Sequence, residues 1–309
     1  MFIAQSYKKE NVFGKYLLGS LVIFLASIIG QIPFVIAMLY EVFVNKKAFP
    51  STEKEVFDLL GSNGFLFLML VSFVFAILGL YLVVKKLHNQ NFKVIITSRK
   101  TIDWKRFFVA FSIWGFISVS LILISFFSGD SEIELQFNIV PFLILSLIAI
   151  VLIPIQTSTE ELVFRGYLMQ GFYNLSKNKW FPLVMTSVIF GTMHIANPEV
   201  LEMGYIVLVY YIGTGFFLGI ITLMDEGTEL ALGFHAANNL VAALLITSDY
   251  SVLKTNAIFK DLSKPEVGFE IFMPILFYII LLFIFSKMYN WSNWKDKLIG
   301  NHGAKTDKF

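Results

Sequence analysis

Five side chains in the middle of this chain have the types and spacing needed for hydrolytic chemistry. The adjacent Glu160 and Glu161 are followed by His194, and a second histidine, His235, stands four residues before Asn239. A carboxylate or an imidazole can take a proton from water, and an amide N–H can donate to a developing oxyanion. The five residues therefore have the groups needed to activate water for attack on a carbonyl carbon.

Helical spacing suggests different roles for the two glutamates. Glu161 and Arg165 are four residues apart, so they share a helix face and can form an ion pair. Glu160 points about 100° away from Glu161 and is left free of that pair. Taken singly, a membrane Glu–Arg pair is often structural and His-x-x-x-Asn is a weak pattern. The conjunction of these groups indicates a site.

Composition defines the class of protein that holds these residues. The 309-residue chain is 57% hydrophobic and 15% charged, with a mean hydropathy of +0.73. Soluble domains are typically about 45–50% apolar and about 25% charged, so the chain is an integral membrane protein. A net charge of +2 gives no support for a nucleic-acid partner, and the absence of Cys excludes a disulfide framework, a thiol nucleophile and a Cys-ligated metal.

Apolar runs predict an all-α bundle of about eight transmembrane helices in a single multi-pass domain, residues 1–309. The runs lie near residues 17–39, 65–84, 107–128, 138–172, 180–196, 203–224, 228–247 and 269–289. The first has no small-residue cleavage site and reads as a retained helix. Ionisable groups inside such runs each cost about 2.5–3.5 kcal/mol on insertion scales, which marks the polar residues as functional candidates.

The distribution of Lys and Arg predicts the orientation. If the N-terminus is cytoplasmic, 17 of the 24 Lys and Arg lie in inside segments and 6 outside, so both termini are predicted to be cytoplasmic. Counting from the inner ends of the runs places Glu160 and His194 roughly 20 Å deep, and His235 and Asn239 roughly 10 and 16 Å deep. These overlapping depths predict one buried polar site.

The basic segment 85–108 has two interpretations. Its mixture of Lys and Arg with Ile, Trp and Phe suits a stretch lying on anionic lipid, but an ordinary positive-inside loop is favoured. His88 and His302 fall in predicted loops and are expected to be solvated. Gly166 and Gly191 are expected to allow close helix approach beside the site.

Three motifs resemble those of a known family. Glu-Glu-x-x-x-Arg (Glu160, Glu161, Arg165), Phe-x-x-x-His (Phe190, His194) and His-x-x-x-Asn (His235, Asn239) occur in order on successive predicted helices. They resemble the motifs of the CPBP family, the CAAX-protease and bacteriocin-processing intramembrane endopeptidases, also called Abi proteins and related to the type II CAAX prenyl endopeptidases. The resemblance covers roughly residues 140–250, the motif-bearing core.

The resemblance implies an endopeptidase of a bacterial inner membrane, with a polar cavity open to the cytoplasm. By analogy, Glu160 and His194 hold and deprotonate the attacking water, and His235 and Asn239 stabilise the oxyanion. Glu161, Arg165 and Phe190 support the site. The implied partners are membrane lipids and a membrane-associated or lipidated, CAAX-like peptide or protein substrate.

A metal and two other functions stay open at this point. Glu160, His194 and His235 form a His₂Glu set of the kind that binds zinc in several peptidases. A tightly bound zinc is slightly disfavoured, because no His-Glu-x-x-His helix is present and acid–base work by Glu160 and His194 needs no metal. The alternatives to a protease are a catalytically silent Abi-type immunity or scaffold protein and, less favoured, a proton-coupled transporter. Against a transporter, no inverted repeat is visible.

Overall fold

The computed structural model describes residues 1–5, 11–129, 132–263, 268 and 271–301. Its α-helices, in chain order, are α1 (Phe13–Gly30), α2 (Ile32–Phe43), α3 (Glu53–Leu60), α4 (Ser62–Leu82), α5 (Trp104–Phe127), α6 (Ile139–Glu161), α7 (Met169–Ser176), α8 (Trp180–Thr192), α9 (Pro198–Met203), α10 (Val207–Asp225), α11 (Glu229–Leu245), α12 (Met273–Met288) and α13 (Trp294–Ile299). Two π-helical segments, Val83–Leu87 and Leu162–Leu168, continue α4 and α6, and short 3₁₀ turns cover Phe2–Ala4 and Phe92–Ile95.

Apolar helices lie where all eight runs were predicted. Within the described residues, five helical stretches are long and apolar enough to cross a membrane: Phe13–Phe43, Ser62–Leu87, Trp104–Phe127, Ile139–Ser176 and Val207–Asp225. The apolar helices α8, α11 and α12 have 13, 17 and 16 residues. Each is shorter than the about 20 residues that a helix needs to span a bilayer. The last predicted run began at residues 269–270, which lie outside the described residues.

The fifth run is shorter than predicted. Helix α8 ends at Thr192 rather than near residue 196, and His194 lies in the turn that follows. Asn197–Pro198 begins the next helix, α9, and the residue before a proline is biased away from helical geometry. His194 is therefore not in a helix, in contrast to its predicted position.

Neighbouring helices run antiparallel, which defines two ends of the bundle. On α8, Gly191, Ser187 and Leu183 meet Ile212, Gly215 and Gly219 of α10 in reverse order. We call the end with the N-termini of α1, α5, α8 and α11 the basic end. The described Lys and Arg at this end are Lys15, Lys85, Lys86, Lys93, Arg99, Lys100, Lys105, Arg106, Lys177, Lys179, Lys287, Lys295 and Lys297.

Both ends of the described chain meet at the basic end. The backbone N–H of Phe2 donates to Oε2 of Glu226, and Nζ of Lys297 lies 2.8 Å from Oε1 of the same carboxylate. The N- and C-terminal segments thus lie on one side of the bundle, as the Lys and Arg count predicted. Five lysines of that count, Lys8, Lys9, Lys264, Lys305 and Lys308, lie outside the described residues, as does His302.

The basic segment 85–108 is a folded cap, which neither interpretation anticipated. Ile95 and Thr97 are buried, and Arg99 lies 2.8 Å from Asp225 and 3.1 Å from Glu229. Arg106 lies 3.0 Å from the same Asp225 carboxylate. The two arginines neutralise acidic side chains at the ends of α10 and α11, so this part of the segment is bound to protein.

His88 is buried, so its expected solvation was wrong. Its Nδ1 bonds Oδ1 of Asn11 at 3.1 Å and its Nε2 bonds the hydroxyl of Tyr167 at 2.9 Å. Because an amide oxygen only accepts, Nδ1 donates and Nε2 accepts. The ring therefore joins the start of the chain to the π-helical segment behind the glutamates.

A small sheet adds to the predicted all-helical fold. Strands β1 (Ile133–Leu135), β2 (Ile246–Ser248) and β3 (Phe259–Asp261) pair in the order β1-β3-β2. β1 is antiparallel to β3, with Glu134 opposite Lys260, and β2 is parallel to it. The sheet lies at the end opposite the basic end, because β1 precedes α6 and β2 follows α11.

Candidate active site

The polar residues of the three motifs surround one cavity of about 640 Å³. Its walls come from α4, α6, α8, α10, α11, α12 and the segments around α9 and residues 251–253. Among its lining residues are Gln156, Glu160, Phe190, His194, Tyr211, His235, Asn238 and Asn239. Glu160, His194, His235 and Asn239 therefore line the same cavity, His194 from the turn after α8.

Glu160 and Glu161 lie where α6 changes its winding. Pro154 lies inside α6 about two turns before Glu161, and the π-helical segment Leu162–Leu168 begins directly after Glu161. A π-helical segment inside an α-helix occurs frequently at functional sites. Here it carries Arg165 towards Glu161, and the two form the predicted ion pair at 2.9 Å, with both side chains fully buried.

Glu161 is the structural hub of the site. Its Oε1 accepts from Nη1 of Arg165 and also lies 2.8 Å from Nδ1 of His235. Arg165 donates in addition to the carbonyl of Gly215 at 3.3 Å. Glu161 therefore joins α6 to α11 directly and to α10 through Arg165, and it sets the orientation of His235.

Glu160 faces the cavity instead. Its Oε2 lies 3.7 Å from Nε2 of His235, and its Oε1 accepts from Nε2 of Gln156 at 2.5 Å. Its side chain is 18% exposed, whereas that of Glu161 is 0% exposed. Of the two glutamates, Glu160 is the one that can meet a water molecule or a substrate.

His194 is held by its own motif partner. Its Nδ1 lies 2.7 Å from the carbonyl oxygen of Phe190, so that nitrogen donates and Nε2 is the ring's acceptor when the ring is neutral. The ring stacks on Tyr211 with centroids 4.2 Å apart, and Asn197 donates to the Tyr211 hydroxyl at 3.1 Å. The position after α8 is thus fixed by stacking and hydrogen bonding rather than by helix geometry.

Phe190 packs between the charged and imidazole groups. The Arg165 guanidinium carbon lies 4.3 Å from its ring centroid, a cation–π distance. The same ring lies 4.9 Å from His194 and 6.1 Å from His235. Phe190 therefore packs against Arg165, His194 and His235 at the cavity wall.

Asn239 belongs to a chain of amide hydrogen bonds. Trp114 donates to Asn238 at 3.0 Å, Asn238 to Asn239 at 3.1 Å, and Asn239 to Gln156 at 3.1 Å, while Gln156 donates to Glu160. An amide nitrogen has two hydrogens, so Asn239 keeps one N–H for another acceptor. The chain directs four successive donors towards the Glu160 carboxylate.

Sequence reasoning missed Gln156, Asn238, Trp114 and Tyr211. Gln156 stands four residues before Glu160, so helical spacing could have identified it, and Asn238 is a second amide directly beside Asn239. Trp114 and Tyr211 lie in apolar stretches of other helices, and only the packing reveals their contacts.

The glycines beside the site allow close approach, as predicted. A Cβ on Gly191 would lie 2.3 Å from Cγ1 of Ile212, and one on Gly166 would lie 2.3 Å from the carbonyl oxygen of Ile95. Gly191 thus brings α10 against α8. Gly166 allows close approach of segment 85–108, through Ile95, rather than of another membrane helix.

The donor set does not fit a metal site. Within the part of the chain that the structure describes, no three His, Cys, Asp or Glu side chains are grouped so that they could hold a metal ion. The set Glu160, His194 and His235 shares the cavity without forming such a group. No step is therefore assigned to a metal.

The cavity reaches the surface away from the basic end. Its lining includes Val207 at the start of α10, Pro274 at the start of α12 and Met193 just after α8. Met193 is 67% exposed. The cavity therefore opens at the end that carries the small sheet. The expected opening towards the cytoplasm stays a prediction, because it depends on which end of the bundle faces the cytoplasm.

Comparison with known proteins places these features in a family. Residues 138–241 match the model of the type II CAAX prenyl endopeptidase Rce1-like family. The chain is 34% identical over 245 residues to the uncharacterized protein YyaK of Bacillus subtilis (strain 168), covering 79% of this chain and 81% of YyaK. No solved structure matches the chain significantly.

The five membrane-length helical stretches define an integral membrane protein, and the family whose model matches is a protease family. The matched residues contain all three motifs and the whole of α6, α8, α9 and α10. The chain belongs to the Rce1-like family of type II CAAX prenyl endopeptidases.

Proposed function

We propose that this protein is an intramembrane endopeptidase that hydrolyses peptide bonds in membrane-associated polypeptides. The family is a protease family, and the cavity combines a carboxylate, two imidazoles and an amide at its polar wall. Its environment is the lipid of a cell membrane, for which we propose the bacterial inner membrane. Lipidated, CAAX-like chains are one form that such a substrate can take.

The observation that carries the proposal is the separation of the two glutamates. Glu161 is fully buried and held by Arg165 and His235, whereas Glu160 faces the cavity. A buried, paired carboxylate cannot readily change its protonation state without leaving Arg165 unpaired. Glu160 has no such constraint, which supports it as the general base.

In the proposed first step, water bound between Glu160 and His194 attacks the scissile carbonyl carbon. Glu160 takes a proton from the water as the new C–O bond forms, and the carbonyl π electrons move to the oxygen. The free N–H of Asn239 donates to this oxyanion. In the second step the oxyanion collapses, the C–N bond breaks, and the proton on Glu160 passes to the leaving amine with the help of His194.

The role of His235 depends on its protonation state. Its Nδ1 is directed at the Glu161 carboxylate, 2.8 Å away, so a neutral ring carries its proton there and has a lone pair on Nε2. Nε2 can donate to an oxyanion only in the doubly protonated ring. We propose that His235 acts in that form, with Glu161 balancing its charge.

The test is cleavage of a peptide library by purified protein. We expect specific products from the wild type and at least the 10²–10⁴-fold loss typical of a missing general base in Glu160→Gln. Glu202→Gln, at an exposed residue of α9 outside the cavity lining, is the matched control and should cleave normally. No cleavage by any variant would favour the immunity or scaffold alternative.

A further inference from the structure

The two ends of the bundle differ strongly in positive charge. Among the described residues, 13 Lys and Arg lie at the basic end, and 5 lie at the other: Lys46, Lys47, Lys54, Lys254 and Lys260. Segments flanking membrane helices carry their excess of Lys and Arg on the cytoplasmic side. By this rule the basic end is the cytoplasmic end of the bundle.

The basic end is also closed over the site. Segment 85–108 caps this end, with Ile95 packed against Gly166 and Arg99 paired with Asp225 and Glu229. Both acidic partners are buried, and neither lines the cavity. A polypeptide arriving from this side would have to displace the cap and its ion pairs.

The cavity opens at the other end through an apolar rim. Leu201 and Tyr205 are exposed beside the cavity-lining Met203, and Met193 is exposed at the end of α8. Exposed apolar groups at a cavity mouth suit contact with lipid or with a chain lying at the membrane surface. The lining contains Glu160 and Glu199 but no Lys or Arg, which disfavours acidic substrate segments.

We infer that the cavity receives its substrate from the extracytoplasmic side of the membrane. The substrate class is a neutral or basic stretch of a membrane-anchored polypeptide exposed at that surface. This inference rests on the proposed endopeptidase function and deepens it by naming the side of cleavage. Of the lipidated, CAAX-like chains proposed above, only those exposed at that surface would meet this opening.

The absence of Cys allows a direct test by single-cysteine labelling. Glu202→Cys reports the exposed surface of α9 beside the mouth, and Ser251→Cys reports the cavity wall. Lys100→Cys, exposed at the basic end, is the matched control. Each protein is treated in spheroplasts with a membrane-impermeant maleimide, before and after lysis, and the labelled fraction is measured.

We expect Glu202→Cys and Ser251→Cys to be labelled in intact spheroplasts and Lys100→Cys only after lysis. The reverse pattern would overturn the inference and place the cavity on the cytoplasmic side. Labelling of all three positions before lysis, or of none, would contradict the two-sided arrangement and overturn it as well. The endopeptidase proposal is judged separately, since peptide cleavage by purified protein and its loss in Glu160→Gln do not depend on orientation.

Discussion

Nδ1 of His235 lies 2.8 Å from Oε1 of Glu161, and the same oxygen also accepts a hydrogen bond from Arg165. Two positively polarised groups from different parts of the chain thus share one buried carboxylate oxygen. This arrangement leaves the adjacent Glu160 free to line the cavity. The doubled glutamate therefore provides one carboxylate for structure and one for chemistry.

The catalytic assignment predicts how Glu160 and His194 interact. Glu160→Gln retains shape while removing the basic oxygen, so the protein should fold and lose about 10²–10⁴-fold in kcat. His194→Ala should lower kcat by a similar factor. The double variant should have a kcat little lower than either single variant, because one substitution already disables two residues that act together. The measurement is kcat on a cleaved peptide for the four proteins. Fully multiplicative losses would show that the two residues act independently.

Removing Arg165 should cost mainly stability. Arg165→Ala leaves the Glu161 charge buried with only His235 beside it, and breaking a buried pair in this way typically costs about 3–5 kcal/mol. His235→Ala leaves the Glu161–Arg165 pair intact and should lower activity with a much smaller loss of stability. Thermal unfolding in detergent measures both. Equal decreases in Tm would indicate that His235 is primarily structural.

Gln156 should act as a positioning residue for Glu160. Its amide donates to Oε1 of Glu160 and accepts from Asn239, and a hydrogen bond to a charged group is worth about 1.5–3 kcal/mol. Gln156→Ala should therefore lower kcat by about ten- to a hundred-fold with a smaller change in KM and little change in Tm. Gln136→Ala, at the remote end of β1, is the control of matched residue type. A loss confined to Tm would reduce Gln156 to a packing role.

His88 should make the fold sensitive to acid. Burial, with a smaller contribution from the positive charge of Lys15, lowers the pKa of His88 to about 4, compared with about 6.5 in an unfolded chain. Between these values the unfolded chain binds more protons, so stability is full above about pH 6.5 and declines as the pH falls towards 4. The Tm of the wild type should fall more between pH 7 and pH 4.5 than that of His88→Gln, which cannot titrate. Parallel curves would contradict the prediction.

The sequence by itself determined the class of protein and located the motif residues that line the cavity. Apolar runs located the membrane helices because burying a helix in lipid requires a continuous apolar surface, and i,i+4 spacing predicted the Glu161–Arg165 pair because helix geometry is local. The motif residues Glu160, His194, His235 and Asn239 stood out because ionisable and amide groups are rare in such runs.

Tertiary structure alone decided which groups meet and where the cavity opens. The contact of His235 with Glu161 joins residues 74 apart, and that of His88 with Tyr167 joins residues 79 apart; helical periodicity carries no information on such pairs. The cap formed by segment 85–108 was missed because a string of Lys and Arg reads as solvated until Asp225 and Glu229 are placed beside it. The cavity mouth depends on which ends of α8, α10, α11 and α12 diverge, which is a property of helix packing rather than of any one helix.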